Sequence, residues 1–125
     1  VTTIRTGTDL AAVEDVVAGI TAHGERYLAR VFTPRERADT GDEPERLAAR
    51  YAGKEAVLKL LHPERSDAVP LTDVAVVLDP AGAPVVELTG RAADLAARIG
   101  CGTIAISLSH ERGLAIATAV ALSAS

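Results

Sequence analysis

Apolar positions along the chain recur with two different periods, and the switches between them divide it into elements. Val13, Val16, Val17 and Ile20 stand at i, i+3, i+4 and i+7, the spacing of an amphipathic helix, with Glu14 and Asp15 in its early turns. Ahead of it, the Thr-rich run from Thr2 to Thr8 alternates around Ile4 as a short strand does, and Gly7 punctuates it. Asp9 then falls where strand gives way to helix, in a position for a cap or for a ligand. His23-Gly24 breaks the helix, placing His23 in a surface loop, and Tyr27, Leu28 and Val31 predict a second, shorter one. Thr33-Pro34-Arg35-Glu36 reads as a capping box with Pro at the first helical position.

A long helix is predicted from about Pro44 to Leu61, ended by His62-Pro63, because the residue before Pro is biased away from helix. Val74–Leu78 reads as a buried strand, Pro80-Ala81-Gly82 as a turn, and Val85–Leu88 as the returning strand of a hairpin. Thr89 is placed to cap a helix from about Gly90 to Ile99, with Gly100 as its stop. A second hairpin closes the chain: Thr103–Ser109, a turn at His110-Glu111-Arg112-Gly113, then Leu114–Leu122. This order gives an α+β fold, a small, mainly antiparallel sheet packed on the long helix, in one domain spanning residues 1–125.

Composition narrows the function. With one Phe, two Tyr and no Trp, the core is aliphatic and offers no aromatic platform for stacking bases. A formal net charge of −4 repels phosphates at long range, which argues against nucleic-acid and membrane-surface binding; any phosphate must be met by a local patch. The single Cys101 excludes a disulfide framework and points to a reducing, cytoplasmic setting. No apolar run approaches a membrane span and no signal-peptide pattern opens the chain. Met is absent, initiator included, which predicts a chain that is processed, trimmed or cut from something longer.

The chemistry concentrates on the long helix. At 3.6 residues per turn, Glu55 falls within the arc of Leu47, Ala48, Tyr51, Ala52 and Leu58, a carboxylate on the buried face. An ionised carboxylate there needs a partner, a metal or a proton. Lys59, one turn on, is within reach, either as a structural ion pair contributing roughly 0.2 to 0.5 kcal/mol or as part of a site. Arg50 and Lys54 line a flank of the same helix, so a phosphate and a divalent metal both fit the locus. Gly53 costs roughly 1 kcal/mol in a helix interior, which implies that something packs closely against the backbone there. His110 reads as a hairpin-turn residue, and Ser107 and Ser109 lie on the strand face opposite Ile104 and Ile106, where they can line a cleft.

Three places taken together, Gly7-Thr8-Asp9, Tyr51-Ala52-Gly53-Lys54-Glu55-Ala56-Val57-Leu58-Lys59 and Ser107-Leu108-Ser109-His110, resemble the holo-acyl-carrier-protein synthase type of 4'-phosphopantetheinyl transferase. That family's signature is a Gly-x-Asp near the N-terminus and an aromatic-x-x-Lys-Glu-Ala-x-x-Lys helix; Gly82-x-Pro84 and the Ala-rich final strand extend the likeness over nearly the whole chain. The resemblance implies transfer of the phosphopantetheine arm of coenzyme A to a serine of an apo acyl carrier protein of fatty-acid, polyketide or peptide synthase type. It implies Mg2+ held by Asp9 and Glu55, and Lys59 on the pyrophosphate. Arg50, Lys54, His110 and Ser109 fall at the nucleotide end, and Glu55 or a metal-bound water takes the serine proton. It also implies a homotrimer with its site between subunits. Two carboxylates about 4 Å apart at an effective dielectric near 20 repel by roughly 4 kcal/mol, so a cation between Asp9 and Glu55 makes physical sense, and Mg2+ ordinarily takes one or two carboxylates plus waters and phosphate oxygens.

The chain departs from the family at its first helix. Glu14 and Asp15 stand where basic residues usually receive the acidic carrier, so Arg26, Arg30, Arg35 and Arg37 are expected to supply a displaced basic surface. Tyr51 replaces the more usual Phe or Trp. Two other readings compete: a non-catalytic docking or assembly domain of a synthase with the same fold, and a nucleotide-binding regulatory module. Retention of both Asp9 and Glu55 favours the transferase, since a non-catalytic module has no use for a repelling carboxylate pair.

Overall fold

The structure is a computed structural model that describes residues 1–124. Strand β1 (Thr2–Ala12) is followed by helices α1 (Val13–His23), α2 (Glu25–Val31), α3 (Pro34–Thr40) and α4 (Pro44–Leu61). The hairpin β2 (Val74–Leu78) and β3 (Pro84–Leu88), helix α5 (Gly90–Arg98), and the hairpin β4 (Ala105–Glu111) and β5 (Leu114–Ala124) complete it. The expected α+β class and antiparallel pairing are present, but the strands form two sheets: β1-β5-β4 and β2-β3.

Alternation explains the larger sheet. Along β5, Ala115, Ala117, Ala119 and Ala121 face inward and are buried, while Leu114, Ile116, Val120 and Leu122 face outward and are exposed. The methyl-sized inner row lets α4 lie close against the sheet. β1 pairs with β5 in register from Thr2↔Ala124 to Ala12↔Leu114. Gly7 therefore does not punctuate a short strand; it lies in mid-strand, where a Cβ would run into the Ala56 carbonyl oxygen of α4 and come within 2.9 Å of the Leu60 amide nitrogen. Asp9 is likewise a strand residue, paired with Ala117, and α1 starts four residues later without a side-chain cap.

The long helix occupies the predicted span and is buried on nearly every side. At Gly53 a Cβ would meet Val76 at 3.0 Å and Ile106 and Leu108 at 3.2 Å, so both sheets press on the helix there, as its cost implied. The capping box at α3 is formed: Thr33 Oγ1 accepts from the Glu36 amide at 3.2 Å and Glu36 Oε1 from the Thr33 amide at 2.9 Å. Two local expectations are corrected. Thr89 gives α5 no side-chain cap; Asp73, from the chain entering β2, accepts from the Arg91 and Ala92 amides at 2.8 and 3.4 Å instead. The last turn is the two-residue Arg112-Gly113, both with positive φ (53° and 79°), which suits the twist of the flanking strands and leaves His110 within β4. His23 ends α1, exposed at its C-terminus, rather than sitting in a loop.

Candidate active site

Two separate loci carry the residues that the sequence singled out. At the first, β1 brings Asp9 beneath α4 on the inward face it shares with Arg5, Gly7 and Ala11, and the missing side chain at Gly7 permits the close approach. Lys59 Nζ donates to Asp9 Oδ1 at 2.9 Å and to the Thr8 carbonyl at 3.0 Å. The lysine thus reaches across to Asp9, and no ion pair joins it to Glu55 among the described residues. Glu55 is half-buried beside them. Burial and then the negative charge of Asp9 push its carboxyl above the ordinary glutamate range, against the opposing pull of Lys59.

The two carboxylates therefore feel each other across 46 residues of sequence, and Lys59 opposes the upward shift of Glu55 without reversing it. Both donors are hard oxygens, and no cluster of three or more His, Cys, Asp or Glu gathers among the described residues. A pair of carboxylates with room for waters and phosphate oxygens fits Mg2+, which dehydrates reluctantly and rarely takes an all-protein cage. Beside the pair opens a hollow of about 290 Å³ lined by Leu10, Asp15, Val16, Tyr27, Val31 and Tyr51, which the sequence reading did not foresee. Burial, followed by the charges of Glu55, Asp9 and Asp15, raises the Tyr51 hydroxyl and keeps it a proton donor.

The second locus is a cleft of about 430 Å³ on the other side of α4, lined by Arg46, Arg50, Leu78, Leu108, Ser109 and His110 among others. Arg50 is 8% exposed, and its buried Nε donates to no acceptor among the described residues. Burial pulls its charge down while Asp39 and Glu36 pull it up. A buried guanidinium with an unused donor, flanked by Arg46, Ser109 and His110, suits an anion. Arg46 belongs to this cleft but went unrecognised, because its helix position alone gives no sign of the facing strand. His110 is loosely placed, 3.9 Å from Glu45.

Lys54 is in neither locus, which corrects its placement on the phosphate flank. It is fully buried and paired with fully buried Glu36 at 2.6 Å, and its ammonium also donates to the Val74 carbonyl. Glu36 completes the network by accepting from the Val76 amide at 2.9 Å. Burial lowers the Lys54 pKa, opposed by Glu36. Of the four arginines expected to make a basic surface, Arg35 is bound to Asp39 and Arg37 to Glu25 and Asp42. Arg26 and Arg30 are exposed one turn apart on α2, beside a hollow of about 380 Å³ shared with His23 and Tyr27. A further hollow, about 570 Å³ between α2 and α3, holds Arg37 alone among the candidate residues, and its charges are already paired with one another.

Arg50 and Glu55 are five residues apart on one helix, which turns them about 140° from each other. Across the sheet, Asp9 and Leu108 flank the same residue, Ala117, two strand spacings or about 10 Å apart. Within one chain the carboxylates and the anion cleft thus face different ways.

Comparison with known proteins identifies the family. The 4'-phosphopantetheinyl transferase superfamily profile matches residues 5–119. A holo-[acyl-carrier-protein] synthase from Dehalococcoides mccartyi is 40% identical over 118 residues, covering 94% of this chain and 98% of that one. The coenzyme A complex of the Chronobacterium ammoniagenes enzyme superposes with a TM-score of 0.86 at 28% identity, over 98% of this chain and 99% of that one. The Mycobacterium tuberculosis acyl carrier protein synthase does so with a TM-score of 0.70 at 35% identity, over 94% and 95%.

Proposed function

The chain belongs to the 4'-phosphopantetheinyl transferase superfamily, and from that membership we propose that it is a holo-acyl-carrier-protein synthase acting as one unit over residues 1–125. It transfers the 4'-phosphopantetheine arm of coenzyme A to a serine of an apo acyl carrier protein. The serine oxygen bonds to the β-phosphorus, the bond to the bridging oxygen breaks, and adenosine 3',5'-bisphosphate leaves. The observation that carries the reading is the meeting of Asp9 of β1 with Glu55 and Lys59 of α4.

Asp9 and Glu55 are the residues that would hold Mg2+; bound there, the ion offsets their repulsion and neutralises charge on the pyrophosphate. Phosphoryl transfer asks the protein chiefly for positioning and electrostatic stabilisation. Lys59, 55% exposed on a flexible stem, supplies a mobile cation for the pyrophosphate. Glu55, made more basic by burial and Asp9, is the side chain suited to receive the serine proton. Arg50, Arg46 and His110 form the anion cleft for the 3'-phosphate end, with Ser109 at its edge. Lys54 has no part in binding.

Because the two loci face apart on one chain, the complete site needs the carboxylates of one copy opposite the anion cleft of another. The exposed row Leu114, Ile116, Val120 and Leu122, with Ile4 and Leu10 on the neighbouring strand, supports burial of this sheet face in a homotrimer. Arg26 and Arg30 supply the basic surface for an acidic carrier, and Glu14 and Asp15 on α1 oppose the most acidic partners. Among the described residues no helix is long and apolar enough to cross a membrane.

The test is incubation with coenzyme A, Mg2+ and a panel of apo carrier proteins, read by intact mass for the added arm. Transfer is expected with at least one carrier, is lost in Asp9→Asn and Glu55→Gln, and slows in the Arg26→Glu, Arg30→Glu double variant. No transfer to any carrier, or full activity in the carboxylate variants, sinks the reading.

A further inference from the structure

Lys59 is one turn beyond Glu55 on α4, yet its ammonium crosses to β1 and takes Asp9 Oδ1 at 2.9 Å and the Thr8 carbonyl at 3.0 Å. Asp9 is 17% exposed, so this contact is much of what satisfies its charge, whereas Lys59 is 55% exposed and its stem is free to swing. We propose that Lys59 makes cation binding at Asp9 and Glu55 conditional on the pyrophosphate: the ammonium competes for Asp9 until a diphosphate draws it away. The inference rests on the reading that Asp9 and Glu55 are the cation ligands.

The physics is a contest between like charges. An ammonium and a divalent ion repel when both sit on one carboxylate, and in a half-buried site that repulsion is less screened than in water. Coenzyme A brings a diphosphate whose oxygens accept from Lys59, which turns a competitor for Asp9 into a ligand of the substrate. Metal and coenzyme A then bind with positive coupling, and by linkage each strengthens the other by the same factor. A lysine that only contacted phosphate would weaken coenzyme A binding when removed and leave the metal affinity of the free protein alone. A competing lysine would, when removed, tighten metal binding to the free protein.

That difference is measurable by calorimetric titration with Mn2+ as the probe, with and without coenzyme A. Without coenzyme A, Lys59→Gln is expected to bind Mn2+ about tenfold tighter than wild type, and Lys59→Arg, which keeps the charge, to match wild type. Adding coenzyme A should tighten Mn2+ binding more in wild type than in Lys59→Gln. Lys59→Gln binding Mn2+ no tighter than wild type in the absence of coenzyme A overturns the proposal. An Asp9→Asn change placed in Lys59→Gln separates the failures: it should abolish the gained affinity, and if Mn2+ binding is indifferent to Asp9, the ligand assignment falls and the competition with it. Phosphopantetheine transfer, measured separately, reports on the activity itself.

Discussion

Gly7 of β1 and Ala56 of α4 approach so closely that position 7 has no room for a side chain, since a Cβ there would collide with the Ala56 carbonyl oxygen. The obstacle is helix backbone, which cannot rotate aside. Gly7→Ala is therefore expected to push β1 off α4, at a cost of roughly 1 to 3 kcal/mol or more in overpacking, and to part Asp9 from Glu55. Urea unfolding measures the first effect and loss of Mn2+ affinity the second; a stable variant with unchanged Mn2+ binding contradicts both.

The Glu36–Lys54 pair is expected to matter for stability rather than for substrate. Lys54→Met leaves a buried carboxylate without its cation, and breaking such a pair costs about 3 to 5 kcal/mol. Adding Glu36→Gln removes the orphaned charge but keeps only one acceptor oxygen for the Thr33 and Val76 amides, which bond different carboxylate oxygens, so the double variant should recover part of the loss. Chemical denaturation of the single and double variants checks this, and additive losses would show that the two side chains do not act as a pair.

Stability should respond to pH in two opposite ways. Glu55 has a native pKa above its unfolded one, so the native state holds its proton longer, and stability falls as pH rises from the ordinary glutamate range through the raised native value. Asp39, held low by the Leu78 amide, and Asp42, held low by Arg37, contribute stability above the ordinary aspartate range that is lost as pH falls through their depressed values. Glu55→Gln should remove the first slope and leave the acid-side loss. A pH–stability profile that keeps its mildly acidic slope in Glu55→Gln would reassign that slope to another group.

The anion cleft should discriminate a single phosphate. Arg50→Ala and His110→Ala are expected to raise KM for coenzyme A about tenfold or more, since a hydrogen bond to a charged group is worth roughly 1.5 to 3 kcal/mol. Dephospho-coenzyme A, which lacks the 3'-phosphate, should be a poor substrate for wild type and lose little further in either variant. Equal losses with both donors would place the arginine elsewhere on the substrate.

Covering the outer sheet face should decide assembly and activity together. Val120 is 40% exposed at the centre of that face. Val120→Asp puts a charge into the proposed interface, and sedimentation should find smaller species with transfer activity reduced about tenfold or more, in keeping with the cost of a buried unpaired charge. An active monomer would show that one chain completes its own site.

Much of this was legible because it is local. The 18 residues of α4, the capping box on α3 and the β2-β3 hairpin are written in spacing, Pro positions and turn residues that act over a few neighbours. Glu55 was legible as a charge on a buried helix arc, whereas Asp9, two residues beyond Gly7, read by itself as a cap or a ligand and gained its place in the site only from the family resemblance. Helical periodicity, however, places a residue on a face without saying what lies opposite. α4 is covered on nearly all sides, so Lys54 looked like a neighbour of Arg50 on an open flank until α3 and β2 closed over it with Glu36 and the Val74 carbonyl. Asp73 capping α5, Lys59 choosing Asp9 over Glu55, and Arg46 joining the anion cleft were decided in the same way, by elements that meet in space after long separations in the chain. Composition and periodicity determined the class of fold and the kinds of charge available; tertiary packing decided which of those charges are spent holding helices together and which stay free for a substrate.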